Sequence, residues 1–349
     1  MKFKHLITLL LLSSCATTIK NFDKYEKEFL SKSSFMPTEE NLAGKSPKLV
    51  VFPLDEGENQ VAKQAGLGAS ISNDIENVLT RDRLVEIVDR NAAAKLQKEI
   101  ALIEMNKTGS YKGPKIADYA ISGAISNADF SSKYSSGSTF INPKNGQVIS
   151  IPPRFNYNSN ASGNIKIYEL PSLTVIENIE FSGKKSRSEN VQQRGGLNLG
   201  GIQIGGEQVS GTSRDDGLVR KAGEDGVDEA KVALKNVFSK KGYILEKRVF
   251  DKKTIFKISL GSLDGIKQDN EFEVIGQYEI ENPITNKTEI ERRIIATGKV
   301  SDKIDPKSSW IVINEKEKEN SIRLGDAVKI KYKKSQMESF TKLAKNFAQ

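Results

Sequence analysis

Residues 1–14 have the charge and hydropathy pattern that most constrains where the rest of the chain can fold. Two lysines precede an apolar run from Leu6 to Leu12, and two serines follow it. This order of positive, apolar and small residues is typical of a signal peptide, and the run is too short to span a hydrocarbon core of about 30 Å. We therefore expect the segment to be removed on export, so that the chain folds outside the cytoplasm.

Cys15, the only cysteine of the chain, directly follows this signal. Residues 12–15 resemble a bacterial lipobox, in which the thiol receives diacylglycerol and the cysteine becomes the new N-terminus. Several acyl chains at about 0.8 kcal/mol per buried CH₂ form an effectively permanent anchor. In the lipoprotein-sorting system of diderm bacteria, the absence of aspartate after the cysteine implies passage to the outer membrane. Ala16 follows the cysteine here. We therefore predict a lipoprotein carrying palmitate-type chains on the periplasmic face of the outer membrane. The alternative is a secreted protein with a free cysteine.

Removal of the signal also removes His5, the only histidine. A chain without histidine forms no Ser-His-Asp triad, Cys-His dyad or His-ligated zinc site, and acylation of the one thiol excludes a cysteine nucleophile. No carboxylate pair stands out among the 45 Asp and Glu residues. We therefore expect no enzyme, and we predict no catalytic, cofactor-binding or metal-binding residue. Stability has to come from apolar burial, since no disulfide can form.

Positive charge is in excess, with 53 Lys and Arg against 45 Asp and Glu. The charges are mixed along the chain and not clustered, and an exported protein meets no nucleic acid. We therefore interpret them as solvated surface and predict no nucleic-acid partner.

Residues 15–46 are predicted to be a lipid anchor and a polar tether. Roughly 30 residues at about 3.3 Å each reach on the order of 100 Å when extended, so the folded part need not touch the membrane. A weak apolar spacing within this stretch favours a short helix, at Phe22, Tyr25, Phe29 and Leu30.

Residues 47–240 alternate strands and helices before two strands pair as a hairpin. This order predicts an α/β (α+β) domain with a mixed sheet and flanking helices. The apolar run Lys48–Leu54 is typical of a buried strand, and Gly123 would let a neighbouring backbone or helix approach the strand 119–125. The other predicted elements are the helices 67–79, 91–103 and 217–238, the strand 84–88 and the hairpin 161–181.

Two insertions, 129–160 and 183–216, interrupt this domain. The first contains two short strands around an Asn145-Gly146 turn. The second is glycine-rich but lacks the Lys-Ser/Thr and the strand-loop-helix setting of a phosphate loop, so we predict a hairpin. Its candidate membrane-facing positions are Leu197, Leu199, Ile202 and Ile204.

Residues 242–333 consist of short strands separated by turns, which predicts a small all-β, SH3-like barrel. An amphipathic tail, 334–349, follows. Its apolar residues recur on one face of a helix, at Phe340, Leu343, Ala344 and Phe347.

Four segments together resemble the curli production assembly/transport family of outer-membrane lipoproteins, over about residues 48–238. They are the strand 48–54, the segment 84–90 that precedes the predicted helix with Glu99, the segment 117–125 and the hairpin 165–179. The resemblance implies a periplasmic α/β domain that forms a homo-oligomeric ring. In channel members it also implies two hairpins per subunit that join one transmembrane barrel, and both insertions fall at the corresponding places.

The pattern departs from the channel members in two respects. Neither insertion shows the roughly ten residues of alternation that a lipid-facing strand needs. The loop 53–66 contains Asn59 but no aromatic residue, whereas the family's pore loop carries a tyrosine, an asparagine and a phenylalanine. We therefore expect a periplasmic ring more than an open channel.

The C-terminal barrel resembles the last domain of the flagellar T protein. The residues that carry this resemblance are Leu260–Ser262, Gly265, Ile266, Asp269, Phe272–Val274 and Leu324–Val328. That protein couples such a barrel to a related α/β domain in a periplasmic ring. The main prediction is a secretion-family lipoprotein for export or assembly of extracellular or envelope structures, with the exported or envelope proteins as partners. The alternatives are a flagellar basal-body ring component and a tethered lipoprotein that activates a peptidoglycan synthase.

Overall fold

The computed structural model describes residues 16–42, 46–88, 117–191, 197–199, 202–204, 212–281, 283 and 288–334. These form two compact units. The β-domain combines residues 16–42 with Ser239–Tyr332, and the mixed domain comprises Ser46–Phe238 with residues 333–334. Cys15, the helix predicted at 91–103 and the tail from residue 335 onward lie outside the described residues.

Strands outnumber helices in the described ranges. In chain order the strands are β1 Glu26–Glu28, β2 Lys48–Val51, β3 Glu86–Ile87, β4 Tyr119–Ser135, β5 Ser138–Ile141, β6 Val148–Ile151, β7 Arg154–Glu169, β8 Thr174–Asn190, β9 Leu197–Leu199, β10 Ile202–Ile204, β11 Lys241–Phe250, β12 Lys253–Ile258, β13 Glu271–Glu281, β14 Thr288–Ile304, β15 Ser309–Ile313 and β16 Ala327–Lys331. The α-helices are α1 Glu39–Leu42, α2 Gln60–Ala65, α3 Leu67–Arg81 and α4 Asp216–Val237. Short 3₁₀ turns lie at Phe22–Lys24, Ser262–Asp264 and Lys316–Ser321.

The mixed domain is built on a five-stranded sheet in the order β3-β2-β4-β7-β8. β2 pairs in parallel with β3 and β4, while β4, β7 and β8 pair antiparallel. The predicted mixed sheet with flanking helices is therefore confirmed. The chain as a whole is mostly β, so the α/β description applies to this domain only.

Helix α4 packs along β8 and β7, and α3 packs against α4. The helices bury their apolar stripes because these residues recur at helical spacing. Gly123 behaves as predicted, since a Cβ there would lie 2.1 Å from the carbonyl oxygen of Asn164 on β7. For α4 the helical spacing predicts an apolar side of seven residues, Val219, Ala222, Gly226, Ala230, Ala233, Leu234 and Val237. Of these Ala233 is exposed and Val237 is half-buried, whereas Leu218 and Val227 are buried as well.

Asp74 on α3 has a strongly perturbed carboxyl group. Partial burial, and then the charges of Glu224 and Asp228 on α4, raise its pKa from 3.8 to about 6. The folded-state pKa thus lies above that of the unfolded chain. The group therefore costs nothing below about pH 4 and destabilises the fold as the pH rises toward 6.

We predict that Asp74→Asn raises the free energy of unfolding at neutral pH. The gain should be about 1–2 kcal/mol, since solvent screens part of the effect at this half-buried site. Urea titrations followed by circular dichroism should show the gain near pH 7.5 and little difference near pH 4. An equal gain at both pH values would contradict the assigned pKa.

The β-domain is an antiparallel barrel in the order β11-β12-β15-β14-β13-β16, closed by pairing of β16 with β11. Its interior is apolar and includes Phe256 and Phe272, both fully buried. The predicted small barrel is confirmed, but it has six strands because β11, which was not predicted from the sequence, completes it. The SH3-like description is therefore matched only in part.

Residues 16–37, part of the segment predicted to be a tether, are packed on this barrel. β1 pairs with the second half of β11, and Ile19 and Tyr25 are buried on the outer barrel surface. The predicted short helix is reduced to one 3₁₀ turn before β1. We call residues 16–37 the N-terminal strap.

Candidate functional site

The three longest strands of the mixed domain continue past the part that the helices cover. We call residues 129–135, 154–160 and 184–190 the ribbon. Its pairing runs without a break from Asp129 opposite Asn160 to Ser135 opposite Arg154, and β8 follows β7 in the same way as far as Asn190. The insertion boundaries predicted at 129, 160 and 183 therefore fall within continuous strands.

One face of the ribbon carries a row of aromatic rings. Phe130 and Phe155 stack on either side of Tyr157, with ring centroids 6.0 and 6.2 Å away, and Tyr134 lies 5.2 Å from Phe155. The four side chains share this face because their positions alternate along β4 and β7 and are matched by the register. In the sequence, Phe130 and Tyr134 are four residues apart and Phe155 and Tyr157 are two apart. This even spacing is a signal that could have indicated the row.

The base of the aromatic row is fixed by the start of α4. Arg187 lies 5.2 Å from the centre of the Tyr157 ring and forms an ion pair of 3.0 Å with Asp215, the residue that caps α4. The Thr212 N–H also donates to the Tyr157 hydroxyl, at 3.3 Å. The helix thus determines the direction in which the ribbon leaves the domain.

The opposite face of the ribbon is polar. Asn156 donates to the Ser135 hydroxyl at 2.8 Å and accepts from the Ser188 hydroxyl at 2.8 Å. Asn160 donates to the carboxylate of Asp129, at 2.9 Å. These bonds link the three strands side chain to side chain, which stiffens a ribbon that has no core of its own.

β8 places charges on the aromatic face, at Lys185, Arg187 and Glu189. An arginine or lysine facing lipid near the bilayer midplane costs about 2–4 kcal/mol, whereas the same charges are readily solvated in water. The chemistry of this face therefore favours an aqueous setting for the ribbon.

Both long edges of the ribbon lack a strand partner among the described residues. β8, with 17 residues, pairs only with β7, and the distal part of β4 also pairs only with β7. A strand edge without a strand partner is where a strand of another chain can add to a sheet. The charged residues of β8 restrict which chain can approach it.

The tip of the ribbon ends in a second hairpin, β5 with β6. The predicted turn at Asn145-Gly146 is confirmed: the Gly146 N–H donates to the Asn142 carbonyl at 2.9 Å, and Gly146 has a φ of +67°. Phe140, Ile141 and Val148 are 48, 65 and 61 % exposed. Since Phe140 and Ile141 are consecutive, they lie on opposite faces, so this hairpin has apolar residues on both sides.

The four predicted membrane-facing positions come together in the hairpin of β9 and β10. The register places Leu197 opposite Ile204 and Leu199 opposite Ile202. Alternation along a strand puts these four positions on one face, as the sequence predicted for a hairpin. Cys15, the predicted lipidation site, lies outside the described residues.

Asn59, the one match to the family's pore-loop residues, has a structural role here. Its side chain accepts from the Ala62 N–H at 2.9 Å and so caps α2, and its amide donates to the Ala128 carbonyl at 3.0 Å. The loop predicted over 53–66 therefore contains a helix that Asn59 fixes against β4.

No family model matches this sequence, and no curated protein is significantly similar to it. Among the helices of the described ranges, none is both long enough and apolar enough to cross a membrane. The fold and the ribbon are therefore the main basis for a functional proposal.

Proposed function

We propose that this chain is a lipoprotein on the periplasmic face of the outer membrane that assembles with copies of itself into a non-enzymatic scaffold. The scaffold serves export or assembly of extracellular or envelope structures, as the resemblance to the curli-secretion family implies. The observation that carries the proposal is the ribbon, a three-stranded extension whose two long edges have no strand partner in the described part of the chain.

The ribbon supports self-assembly for a geometric reason. A ring needs a heterologous contact, in which one surface of a subunit meets a different surface of the next. The edge of β8 and the distal edge of β4 are two such surfaces on opposite sides of one extension. Lysine, arginine and glutamate side chains on β8 supply the selectivity that an open edge requires.

A flagellar ring component is the second candidate, and the barrel favours it. A mixed-sheet domain followed by a closed barrel is the arrangement on which the resemblance to the flagellar T protein rests. We propose that the two barrels are related. The third candidate, an activator of a peptidoglycan synthase, depends on a long tether. The strap is bonded to the barrel from Thr17, which donates to Asp269, to Ser33, which donates to Leu324, so that candidate loses its main support.

Sedimentation of detergent-extracted protein tests the scaffold. We expect the wild type to sediment as an oligomer far larger than one chain of 38.6 kDa. Leu199→Arg should leave both the oligomer and its membrane association nearly unchanged, because we place the hairpin in water, where surface substitutions have small effects.

Asn198→Arg is the matched control, since residue 198 lies on the other face of the same hairpin. A wild type that sediments only as a monomer at all concentrations would count against every ring. Loss of the membrane-bound oligomer in Leu199→Arg but not in Asn198→Arg, with helix content intact, would overturn the scaffold in favour of a channel.

A further inference from the structure

The N-terminal strap is bonded to the β-domain from its first described residues. The Thr17 N–H donates to the Asp269 carboxylate and the Ile19 N–H to the Asp302 carboxylate, both at 2.8 Å. The Thr17 carbonyl accepts from the Asp302 N–H at 3.1 Å and from the Gln268 amide at 3.0 Å. Four hydrogen bonds, two of them to charged groups, hold this short stretch.

Apolar contacts hold the middle of the strap. Ile19 and Tyr25 are 5 and 7 % exposed and cover Ile255 and Trp310 on the outside of the barrel. The Phe22 ring meets Trp310 edge-on, at 5.3 Å between centroids. These side chains form a second small core, separate from the barrel interior.

Backbone pairing holds the last part. β1 adds to β11, the Ser33 N–H donates to the Leu324 carbonyl at 2.9 Å, and the Leu324 N–H donates to the Ser31 carbonyl at 2.8 Å. The strap is therefore fixed at its start, its middle and its end.

We propose that the strap holds one end of the β-domain against the lipid headgroups of the membrane. The inference rests on the proposed lipidation of Cys15. Two residues of chain, from Cys15 to Thr17, reach only about 7 Å when fully extended. A free tether of the predicted length would instead reach on the order of 100 Å. Because Thr17 is bonded to Asp269 and Asp302, the acyl chains and this barrel end have to lie side by side.

The side chains at this end suit a headgroup layer. Leu263 is 55 % exposed, and its N–H donates to the Pro306 carbonyl, which joins the two loops of this barrel end. Lys267 and Lys307 are exposed in the same two loops. One exposed apolar residue and two exposed lysines at the same barrel end suit the boundary between acyl chains and headgroups. There a lysine buries its apolar stem and keeps its charge among the headgroups.

Site-specific labelling of the intact lipoprotein tests the proposal. Since Cys15 is the only cysteine and would be acylated, a single introduced cysteine takes up a fluorophore alone. We would compare Lys267→Cys, at the strap end, with Lys253→Cys, an exposed lysine at the opposite end of β12. In phosphatidylethanolamine–phosphatidylglycerol vesicles with a headgroup quencher, the probe at residue 267 should be quenched several-fold more.

A flexible Gly-Ser insertion of about 20 residues between Ala16 and Thr17 is the matched variant. It leaves every strap contact in place but separates the barrel from the anchor by roughly 25 Å on average. We expect the difference between the two probes to disappear while the protein stays bound to vesicles.

The outcomes separate the two proposals. If the protein binds vesicles and its two probes are quenched equally, the membrane contact is overturned but lipidation is not. If the difference in quenching between the two probes persists after the insertion, the role of the strap is overturned. Protein that stays in solution and takes up label at Cys15 contradicts lipidation, and the membrane contact falls with it.

Discussion

Gly183→Val is expected to unfold the mixed domain. A Cβ at residue 183 would lie 2.0 Å from the Ala222 carbonyl oxygen and 2.3 Å from the Gly226 nitrogen. Both atoms belong to the backbone of α4, so no side-chain rotation relieves the clash. The helix has to move away from β8, which we expect to cost about 3 kcal/mol or more. Urea unfolding followed by the circular dichroism of the helices should show a greatly lowered midpoint.

Ser182→Val is the matched control, because Ser182 lies on the exposed face of the same strand. Its effect should be small, as β-branched residues suit a strand surface. Trp310, the only tryptophan, lies in the β-domain and reports on that unit in the same sample. Equal losses of helix stability in both variants would show that the clash with α4 is not the cause of the loss.

The glycine contact also has a functional consequence. Close approach of α4 to β8 brings the helix N-cap, Asp215, to Arg187 at the base of the ribbon. A helix pushed away from the strand would break this ion pair and release the Tyr157 hydroxyl from Thr212. We therefore expect partly folded Gly183 variants to lose oligomerisation before they lose the whole domain.

The parts of the fold that were predictable have strong local patterns. α3 is predictable because its apolar residues recur at helical spacing, at Leu67, Ile71, Ile75, Val78 and Leu79. All of these are fully buried except Val78, which is half-buried. The turn at Asn145-Gly146 was predictable from its residue types alone. Gly123 was correctly associated with a close backbone approach.

The ribbon was missed because its distal strands have no continuous apolar face. On β8, Glu189 and Arg187 occupy the positions opposite Phe155 and Tyr157 of β7, so apolar alternation disappears from that strand. α2 was missed because it has only six residues, too few for a periodic signal. Which strands lie at the edges of the ribbon depends on how the strands pair, and composition does not reveal that pairing.

The strap was missed for another reason. Its decisive bonds join residues far apart in the sequence, such as Thr17 with Asp269 and Ile19 with Asp302. A polar segment with a few spaced aromatic residues gives no local indication of such partners, so the sequence alone favours a solvated tether. The strap packs on an apolar surface around Trp310 on the outside of the barrel. That surface exists only once the barrel strands have paired, so the sequence does not indicate it.

Fractionation of Cys15→Ala tests the central claim most directly, since a lipid anchor underlies both the scaffold and the membrane contact. Without the thiol no acyl chain can be attached, and the loss of several chains removes essentially all of the membrane affinity. Thr18→Ala, which keeps the cysteine and the backbone bonds of Thr17, is the control and should stay in the outer-membrane fraction. We predict that Cys15→Ala moves to the soluble periplasmic fraction with its fold intact. A variant that still sediments with the outer membrane after a high-salt wash would contradict the account and assign the anchoring to another part of the chain.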